Sequence, residues 1–572
     1  MITDRNVLQG WQNDRLNLLF LLGLGLLILG AGLGLRDPWP ADEPRFALVA
    51  KQMVESGQWL FPFRGGEIYP DKPPMFMWGI ALGYLITGSL RVAFLLPSLV
   101  AGLGCLVLTY DIARRIWDRA TAFRAALFLL FTVQFTVQAK QAQIDALVTF
   151  FITLGGYGFL RFLLCNGGWR WYYLGWFAAG LGIITKGVGI IAALILIPAL
   201  WTHREQIRQA SKAQWLKGLA GPLFMLLACA LWVIPMVLAV QQQPLPEFMA
   251  YRDNILFRQT VTRYANAWHH IKPFWFYLVN VIPSFWLPWS LLLPWMVWQA
   301  KRDVKQGQRP LILLAGYLLL ILLFFSASAG KRGVYITPAT PVLALLVAYW
   351  LPELLTRRWP ARLLSGLSWL LSGLFLCAGV VLLLKPALIA KLGEMDSPVL
   401  LALSLGVTGL LANWFLRRQP LSAILAVLTI LWLHYGFWSY PLMNHLRTPQ
   451  QIMQDVAQRL APQDELLLTN FREQFLLFAE RPLYHFAYLQ ADEPQPTDAA
   501  AWVQASPHRW VLGPDDKLSK CFAADKGIAL GQRHGDNWLL FRADAVLPAC
   551  QGIQSSGADI FYYAPKLIMG EE

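Results

Sequence analysis

The sequence predicts an α-helical polytopic membrane protein with about 13 transmembrane helices, followed by a small C-terminal α/β domain. Of the 572 residues, 56% are hydrophobic and only 14% are charged, whereas about a quarter of the residues of a soluble domain are charged. Apolar runs of roughly 20 residues, the length that spans a bilayer as a helix, recur along residues 1–440. The mean hydropathy of +0.45 agrees with this class.

The distribution of basic residues predicts the topology. The formal net charge is +14, but Lys and Arg occur in small clusters between the apolar runs, which is typical of cytoplasmic loops. We therefore expect membrane lipids, and no nucleic acid, as partners of these clusters. The N-terminal apolar run lacks the pattern of a cleaved signal peptide, so we expect a retained first span. The alternation of the clusters places the N-terminus inside and the C-terminus outside.

The spans that fit this alternation are predicted at residues 16–35, 91–113, 120–138, 145–163, 171–184, 187–201, 217–240, 273–299, 311–328, 334–351, 363–384, 398–415 and 421–439. The apolar run Met75–Gly88 is shorter than a crossing requires. We interpret it as a juxtamembrane helix in the first outer loop, because counting it as a span would place every later basic cluster outside.

Residues 1–440 are thus predicted to form a membrane-embedded domain, and residues 441–572 a separate domain on the outer side. In the second region, polar turn residues separate short apolar runs, helix-like segments lie between the runs, and His534–Asn537 resembles a hairpin turn. The runs are 465–469, 483–486, 509–512 and 538–541, and the helix-like segments are 472–480 and 498–504. Strands that alternate with helices predict a small α/β domain.

Cysteine positions agree with this sidedness. Four cysteines lie in or beside apolar spans, where Cys behaves as a small hydrophobe. Only Cys521 and Cys550 lie in the terminal region, and two thiols in an outside domain are expected to form a disulfide. The alternative, two unrelated free thiols, stays open because pairing cannot be deduced from sequence.

A charged stretch in the first outer loop is the first candidate site. It carries the ionisable residues Asp42, Glu43, Arg45, Asp71 and Lys72 close to the bilayer surface. Charges kept beside lipid indicate a functional site by default. The alternative interpretation is an ordinary solvated loop.

Further charged and polar residues fall at the outer ends of other predicted spans. They are Asp145, Lys186, Arg263, His269, His270, Lys331, Arg332 and Tyr335. A transporter would instead place ionisable groups near the bilayer midplane, on broken helices in related repeats. Clustering at the outer face favours an active site that opens to the outside, although single Lys or Arg residues at span ends could also be snorkelling.

These residue types indicate phosphate chemistry at a membrane surface. Arg and Lys bind phosphate as a fork or as a point charge, and a nearby carboxylate can accept a proton from an attacking hydroxyl. The pair His269–His270 could be part of a metal site, but adjacent histidines diverge on a helix and no third ligand is evident. We therefore assign no metal ligands, and a divalent metal cofactor is left open.

The order of several short motifs resembles a known family. The motifs are Asp-Glu-x-Arg-Phe at 42–46, Asp-Lys-Pro-Pro at 71–74, an outer Asp145, Thr-Lys-Gly at 185–187, Arg-Tyr at 263–264, His-His at 269–270, Pro-Phe-Trp-Phe-Tyr at 273–277 and Lys-Arg-x-x-Tyr-x-x-Pro at 331–338. Together they resemble the bacterial polyprenyl-phosphate-sugar-dependent glycosyltransferases, which are related to protein O-mannosyltransferases and include the lipid A aminoarabinose transferases. The resemblance covers roughly residues 16–350.

The resemblance implies roles for individual residues. Asp42 matches the family's catalytic carboxylate, and Asp145 matches the second acidic position of the site. Lys72 and Arg263 match residues that hold the donor phosphate, and Tyr335 matches a tyrosine near that phosphate.

Other positions are weaker candidates or depart from the family pattern. Arg45 and Lys331 are further candidates for the donor phosphate, while Glu43, Lys186, His269, His270 and Arg332 are candidates without an assigned role. Asp71 stands where the family usually has Glu, and Arg258 stands where the aminoarabinose transferases have a histidine that contributes to a metal site.

The expected function is that of an inverting glycosyltransferase in the bacterial inner membrane, with its active site and C-terminal domain facing the periplasm. The expected donor is a monosaccharide on polyprenyl (undecaprenyl) phosphate, and the expected acceptor is lipid A, lipopolysaccharide or another envelope glycan. The alternatives are a protein O-glycosyltransferase and, from another class, a lipid or polysaccharide transporter. We expect a monomer.

Overall fold

The computed structural model describes residues 4–257, 270–388, 396–488 and 491–565. The chain divides into two compact units. We call residues 1–33, 71–76 and 95–439 the helical unit, and residues 34–70, 77–94 and 440–572 the mixed unit.

The helical unit consists of α-helices and short 3₁₀ or π turns. Its longer helices are Asp14–Leu29, Leu96–Ile116, Arg119–Leu130, Ile144–Leu164, Trp169–Lys186, Gly221–Gln242, Leu293–Lys305, Arg309–Ala327, Thr340–Leu355, Arg358–Leu384, Asp396–Phe415 and Pro420–His434. Its shorter helices are Asp4–Gln9, Val133–Ala139, Gly189–Ile195, Leu196–Thr202, Arg204–Arg208, Lys212–Leu219, Pro246–Asp253, Tyr277–Val281, Ile282–Phe285, Trp289–Leu292, Gly333–Ala339, Pro386–Leu388 and Tyr435–Ser439.

Among the described residues, 8 helices are long and apolar enough to cross a membrane, or up to 10 if each of two bent pairs is one span. The bent pairs break by 65° after Leu130 and by 115° after Phe285. Pro288 lies at the second break, and proline cannot donate the hydrogen bond that would continue a helix. The chain is thus a multi-pass helical protein, while the count of 13 stays a prediction.

The remaining predicted spans are helical but shorter or less apolar. They correspond to Asp14–Leu29, Trp169–Lys186 and the pair Gly189–Ile195 with Leu196–Thr202. The apolar run of the first outer loop forms the helix Met75–Thr87, whose 13 residues are too few for a perpendicular crossing.

The mixed unit contains a six-stranded sheet. The sheet is preceded in the chain by a short hairpin of two strands with two residues each, β1 (Phe63–Arg64) and β2 (Glu67–Ile68). The sheet strands are β3 (Glu465–Leu468), β4 (Leu483–Phe486), β5 (Arg509–Pro514), β6 (Ile528–Arg533), β7 (Asp536–Phe541) and β8 (Ile560–Tyr563), in the order β6-β7-β5-β3-β4-β8. The helices and 3₁₀ turns are Glu43–Ser56, Leu90–Ala93, Tyr440–Arg447, Gln450–Arg459, Glu473–Leu477, Gln495–Gln504, Asp515–Leu518, Ala524–Lys526, Ala543–Ala545 and Pro548–Cys550.

The central strand β3 pairs in parallel with β4 and β5, and the other pairings are antiparallel. Its residues Leu466, Leu467 and Leu468 are fully buried, because alternate side chains enter two apolar clusters on opposite faces of the sheet. The hairpin turn predicted at His534–Asn537 is confirmed: it joins β6 to β7, with positive φ at His534 and Gly535. A disulfide joins Cys521 and Cys550.

Candidate functional site

The predicted site residues are distributed over both units. Asp42, Glu43 and Arg45 belong to the mixed unit. Asp71, Lys72, Asp145, Lys186, His270, Lys331, Arg332 and Tyr335 belong to the helical unit. Arg263 and His269 lie outside the described residues.

In the helical unit, Asp145, Lys186 and Tyr335 form one cluster. Asp145 lies in the first turn of helix Ile144–Leu164, and Lys186 is the last residue of helix Trp169–Lys186, which ends because Gly187 has φ 84°. The Lys186 Nζ lies 2.5 Å from Asp145 Oδ1 and 4.4 Å from the centroid of the Tyr335 ring. An acid at a helix start and a base at a helix end also complement the two helix dipoles. Sequence reasoning named all three residues but could not pair them.

The turn that carries Lys331 is held by backbone carbonyls. Lys331 Nζ donates hydrogen bonds to Lys272 O at 2.9 Å and to Ser328 O at 2.5 Å, and its backbone N–H donates to His270 O. Among the described residues, these contacts occupy two of the three donors of the ammonium group. Lys331 lies between two spans, and burial lowers its pKa. The side chain is therefore fixed in place with limited capacity for a ligand.

Buried polar contacts fix the segment that follows Lys331. Gln134 Nε2 donates to Gly333 O at 2.8 Å, and Gln134 Oε1 accepts from Trp286 Nε1 at 2.8 Å. Gly333 begins the 3₁₀ turn that contains Tyr335. Sequence reasoning missed Gln134 because a lone glutamine inside an apolar run carries no motif.

Asp71 and Lys72 lie in a half-buried bend before helix Met75–Thr87. Pro73 and Pro74 separate them from that helix. A residue before proline is kept out of the helical conformation, so Lys72 cannot become an extra residue of the helix. The two prolines therefore keep the charged pair in the bend, outside the helix.

In the mixed unit, Asp42 precedes helix Glu43–Ser56. Its side chain is about one-fifth exposed, and its Oδ1 lies 3.9 Å from Nη1 of Arg45, one helical turn further on. A carboxylate at the start of a helix is favoured by the positive end of the helix dipole. This position supplies a partly exposed acid on a rigid element.

Glu43, in contrast, is committed to a buried ion pair. Arg36 Nη2 donates to its Oε1 at 2.7 Å, Arg36 Nη1 donates to its Oε2, and Trp39 N donates to Oε2 at 2.8 Å. The Arg36 guanidinium lies over the rings of Trp39 and Tyr440, at 4.7 Å from each centroid. Glu43 thus fixes the loop that leads to Asp42.

Arg45 is bound by a residue from the distant C-terminal region. Its Nε donates to Glu473 Oε1 at 2.7 Å, and its Nη2 donates to the Tyr488 hydroxyl at 3.2 Å. Burial alone would lower the pKa of Arg45, but the negative charge of Glu473 and the proximity of Tyr69 outweigh burial and raise that pKa. Arg45 is therefore a cation with a protein partner.

A second ion pair holds the start of this loop. Arg91 Nε and Nη2 donate to the two carboxylate oxygens of Asp37 at 2.8 and 2.7 Å, and Asn444 Nδ2 donates to Asp37 Oδ2 at 2.6 Å. Sequence reasoning missed Asn444, Glu473 and Tyr488. They lie more than 400 positions from their partners, and no local sequence pattern indicates that they contact the first outer loop.

The described residues contain no group of three or more His, Cys, Asp or Glu that could hold a metal ion. His270 is exposed, and Arg258 and His269 lie outside the described ranges. The described part of the chain therefore supplies no site that fits the metal left open by the sequence.

Comparisons with known proteins agree on one family. Residues 71–232 match the family model of dolichyl-phosphate-mannose-protein mannosyltransferases. The chain is 31% identical over 465 residues to the undecaprenyl phosphate-alpha-4-amino-4-deoxy-L-arabinose arabinosyl transferase of Pseudomonas aeruginosa strain UCBPP-PA14, across 78% of this chain and 80% of that protein. A relative with the same name from Pseudomonas paraeruginosa is 32% identical over 427 residues, which is 72% of this chain and 73% of the relative.

A solved structure shares the fold. The crystal structure of ArnT from Cupriavidus metallidurans bound to undecaprenyl phosphate matches with a TM-score of 0.73 at 20% identity. The match covers 94% of this chain and 99% of that chain. The similarity therefore extends over the membrane helices and the C-terminal strands alike.

Proposed function

This chain belongs to the polyprenyl-phosphate-sugar glycosyltransferases, the family of its arabinosyl transferase relatives, and on that premise we propose that it is an inverting transferase. It moves a monosaccharide, 4-amino-4-deoxy-L-arabinose by analogy with the relatives, from undecaprenyl phosphate to lipid A or another envelope glycan. The observation that carries this proposal is the 31% identity that extends over 80% of a relative whose name states the donor and the sugar.

The proposed roles follow from the chemistry of each residue. Asp42 accepts the proton of, or orients, the acceptor nucleophile as it attacks the anomeric carbon. Lys72 and Arg263 stabilise the departing lipid phosphate, whose negative charge grows in the transition state. Within the helical unit, the Asp145–Lys186 pair beside the Tyr335 ring supplies a further acid and a further cation on fixed elements. Inversion at the anomeric carbon then needs no covalent sugar–enzyme intermediate.

The proposal includes the topology expected from the basic clusters. Thirteen spans place the C-terminus of a bacterial inner-membrane protein in the periplasm, together with the charged outer loops. Residues 1–440 then carry the membrane-embedded transferase, and residues 441–572 a periplasmic α/β domain. We propose that the monomer is the functional form.

The test is a transfer assay with the full-length purified protein in lipid nanodiscs. With undecaprenyl-phosphate-linked 4-amino-4-deoxy-L-arabinose and lipid A, we expect mass spectrometry to show lipid A that has gained one aminopentose. Asp42→Asn should lower the rate about 10²–10⁴-fold, as loss of a general base does. Unmodified lipid A after incubation with the parent protein would contradict the proposed donor and acceptor. A normal rate for Asp42→Asn would contradict the catalytic role of Asp42.

A second candidate function is protein O-glycosylation. It is favoured by the match of residues 71–232 to the protein mannosyltransferase family model. An assay with lipid A and a periplasmic protein extract as competing acceptors separates the two candidate functions. A protein O-glycosyltransferase would place the labelled sugar on protein, and a lipid A transferase would place it on lipid. Passage of the labelled donor across the bilayer without any transfer would instead indicate the transporter.

A further inference from the structure

Two arginines of the first outer loop share a single buried carboxylate. Glu473 Oε1 lies 2.7 Å from Arg45 Nε and 3.6 Å from Arg64 Nη1. Glu473 is 7% exposed and Arg64 is 2% exposed. Removing one partner of a buried ion pair leaves the other charge uncompensated. Glu473 therefore holds Arg45, whereas Arg64 is shared with Glu67, which lies 3.6 Å from Arg64 Nη2.

The position of Arg45 matters because Asp42 lies on the same helical turn. Residues three apart on a helix face each other, and Arg45 Nη1 is 3.9 Å from Asp42 Oδ1. Arg45 thus lies between two carboxylates and is closer to Glu473. If Glu473 lost its charge, Arg45 would be drawn toward Asp42, and a closer ion pair would hold that carboxylate away from the acceptor hydroxyl.

Other residues of the C-terminal region hold the same loop. The distance between His485 Nε2 and Gly65 O is 2.6 Å. Tyr488 N donates a hydrogen bond to Glu67 Oε2 at 3.0 Å. Gly65 has φ 69°, and a Cβ there would lie 2.6 Å from His485 Nε2, so only glycine fits. Asn444 binds Asp37 at the beginning of the loop. The C-terminal region therefore contacts the loop at four separate points.

We propose that the C-terminal region positions the catalytic loop, and that Glu473 is a positioning residue for Asp42. Glu473 holds Arg45 at 2.7 Å, which keeps the guanidinium 3.9 Å from Asp42, while Arg64 lies 3.6 Å from the same Glu473 oxygen. This inference rests on the proposed function, in which Asp42 acts as the base. It gives the C-terminal strands a role in the transfer reaction itself.

The test compares Glu473→Gln with the parent protein in the transfer assay. We expect kcat to fall about 100-fold, the scale of a small misplacement of a catalytic group, with the donor KM nearly unchanged. Glu473→Asp, which keeps the charge, should recover much of the rate.

The matched control is Glu480→Gln. Glu480 is exposed, lies seven residues further on, and has no ion pair among the described residues. It should leave kcat unchanged. A parental kcat for Glu473→Gln, or a loss that merely equals the loss of folded protein, would overturn the inference. An inactive parent protein would instead count against the proposed function.

Discussion

Lys186, the last residue of one helix, and Asp145, in the first turn of another, form an ion pair with Nζ 2.5 Å from Oδ1. Their side chains are only 14% and 10% exposed. The pair joins two helices and lies against Tyr335. Its effect on stability can therefore be separated from its effect on transfer.

The first prediction concerns this pair. Asp145→Asn and Lys186→Met should each destabilise the protein by about 3 kcal/mol, because each leaves a largely buried charge without its partner. The double variant should regain most of that stability but no sugar transfer, since the charged groups stay absent. Thermal unfolding in detergent and the transfer assay measure the two effects.

A matched control is the exposed pair Arg302–Glu353, whose side chains are 38% and 44% exposed. Glu353→Gln should cost less than about 1 kcal/mol, as is usual for surface pairs, because Arg302 keeps its bond to the buried Asp303. Equal stability losses for Glu353→Gln and Asp145→Asn would contradict the assignment of a special role to the Asp145–Lys186 pair.

The sequence predicts which helices exist but not how they face one another. Apolar length and basic clusters locate the span segments, and the alternation assigns Asp145 and Lys186 to the same side of the membrane. Their pairing depends on the rotation of two helices about their axes. Nearly uniform apolar sequences, such as those of Ile144–Leu164 and Trp169–Lys186, do not specify that rotation.

The long-range contacts of the first outer loop could not be predicted from the sequence for a different reason. The positions of Asp42 and Arg45 are recognisable from a motif, but Glu473 is separated from Arg45 by 428 positions. Charge complementarity alone does not select it among the acids of the C-terminal region. The strands were easier to predict, because short apolar runs between turn residues produce a local pattern.

The second prediction concerns the donor phosphate. Lys72→Ala and Arg263→Ala should each raise the donor KM about 10-fold to 150-fold, because each removes a charge-assisted hydrogen bond worth about 1.5–3 kcal/mol. Initial rates against the concentration of the polyprenyl-phosphate sugar measure this. Lys305→Ala is the control, since Lys305 is an exposed lysine at the end of helix Leu293–Lys305. Unchanged donor kinetics in both test variants would exclude phosphate binding by these residues.

The third prediction concerns acid sensitivity of the C-terminal sheet. Burial, together with the nearby charge of Arg472, lowers the pKa of His534 to about 4. The unfolded histidine has a pKa of about 6.5. Between these values the unfolded state binds more protons, so stability falls as the pH decreases from about 6.5 to about 4.

The variant His534→Asn should weaken this dependence, because it removes the titrating group and asparagine tolerates the positive φ of the turn. Hydrogen exchange of the peptides from 465–541, followed by mass spectrometry between pH 7 and pH 4, measures the local stability. Intrinsic exchange rates must be corrected for pH at each point. An identical pH dependence in the parent and the variant would show that other groups, such as carboxylates, cause the acid sensitivity.

The last prediction concerns the bond between Cys521 and Cys550, which are 29 positions apart. Closing a loop of that length lowers the entropy of the unfolded chain and stabilises the folded state by about 3–4 kcal/mol in the chain-entropy model. Replacing both cysteines with alanine should therefore accelerate hydrogen exchange in the C-terminal strands. Transfer at low temperature should change much less, because neither cysteine contacts the loop that carries Asp42.

Non-reducing mass spectrometry of protein from native membranes tests the pairing, and two thiols that react with an alkylating reagent before reduction would contradict it. An exposed position of the same region reports on topology. The variant Ala505→Cys should be labelled by an impermeant thiol reagent in cells whose outer membrane alone is permeabilised, because an odd number of spans places the C-terminus in the periplasm. Labelling only after the inner membrane is broken would place the strands in the cytoplasm, and would require one span more or one span fewer than the predicted 13.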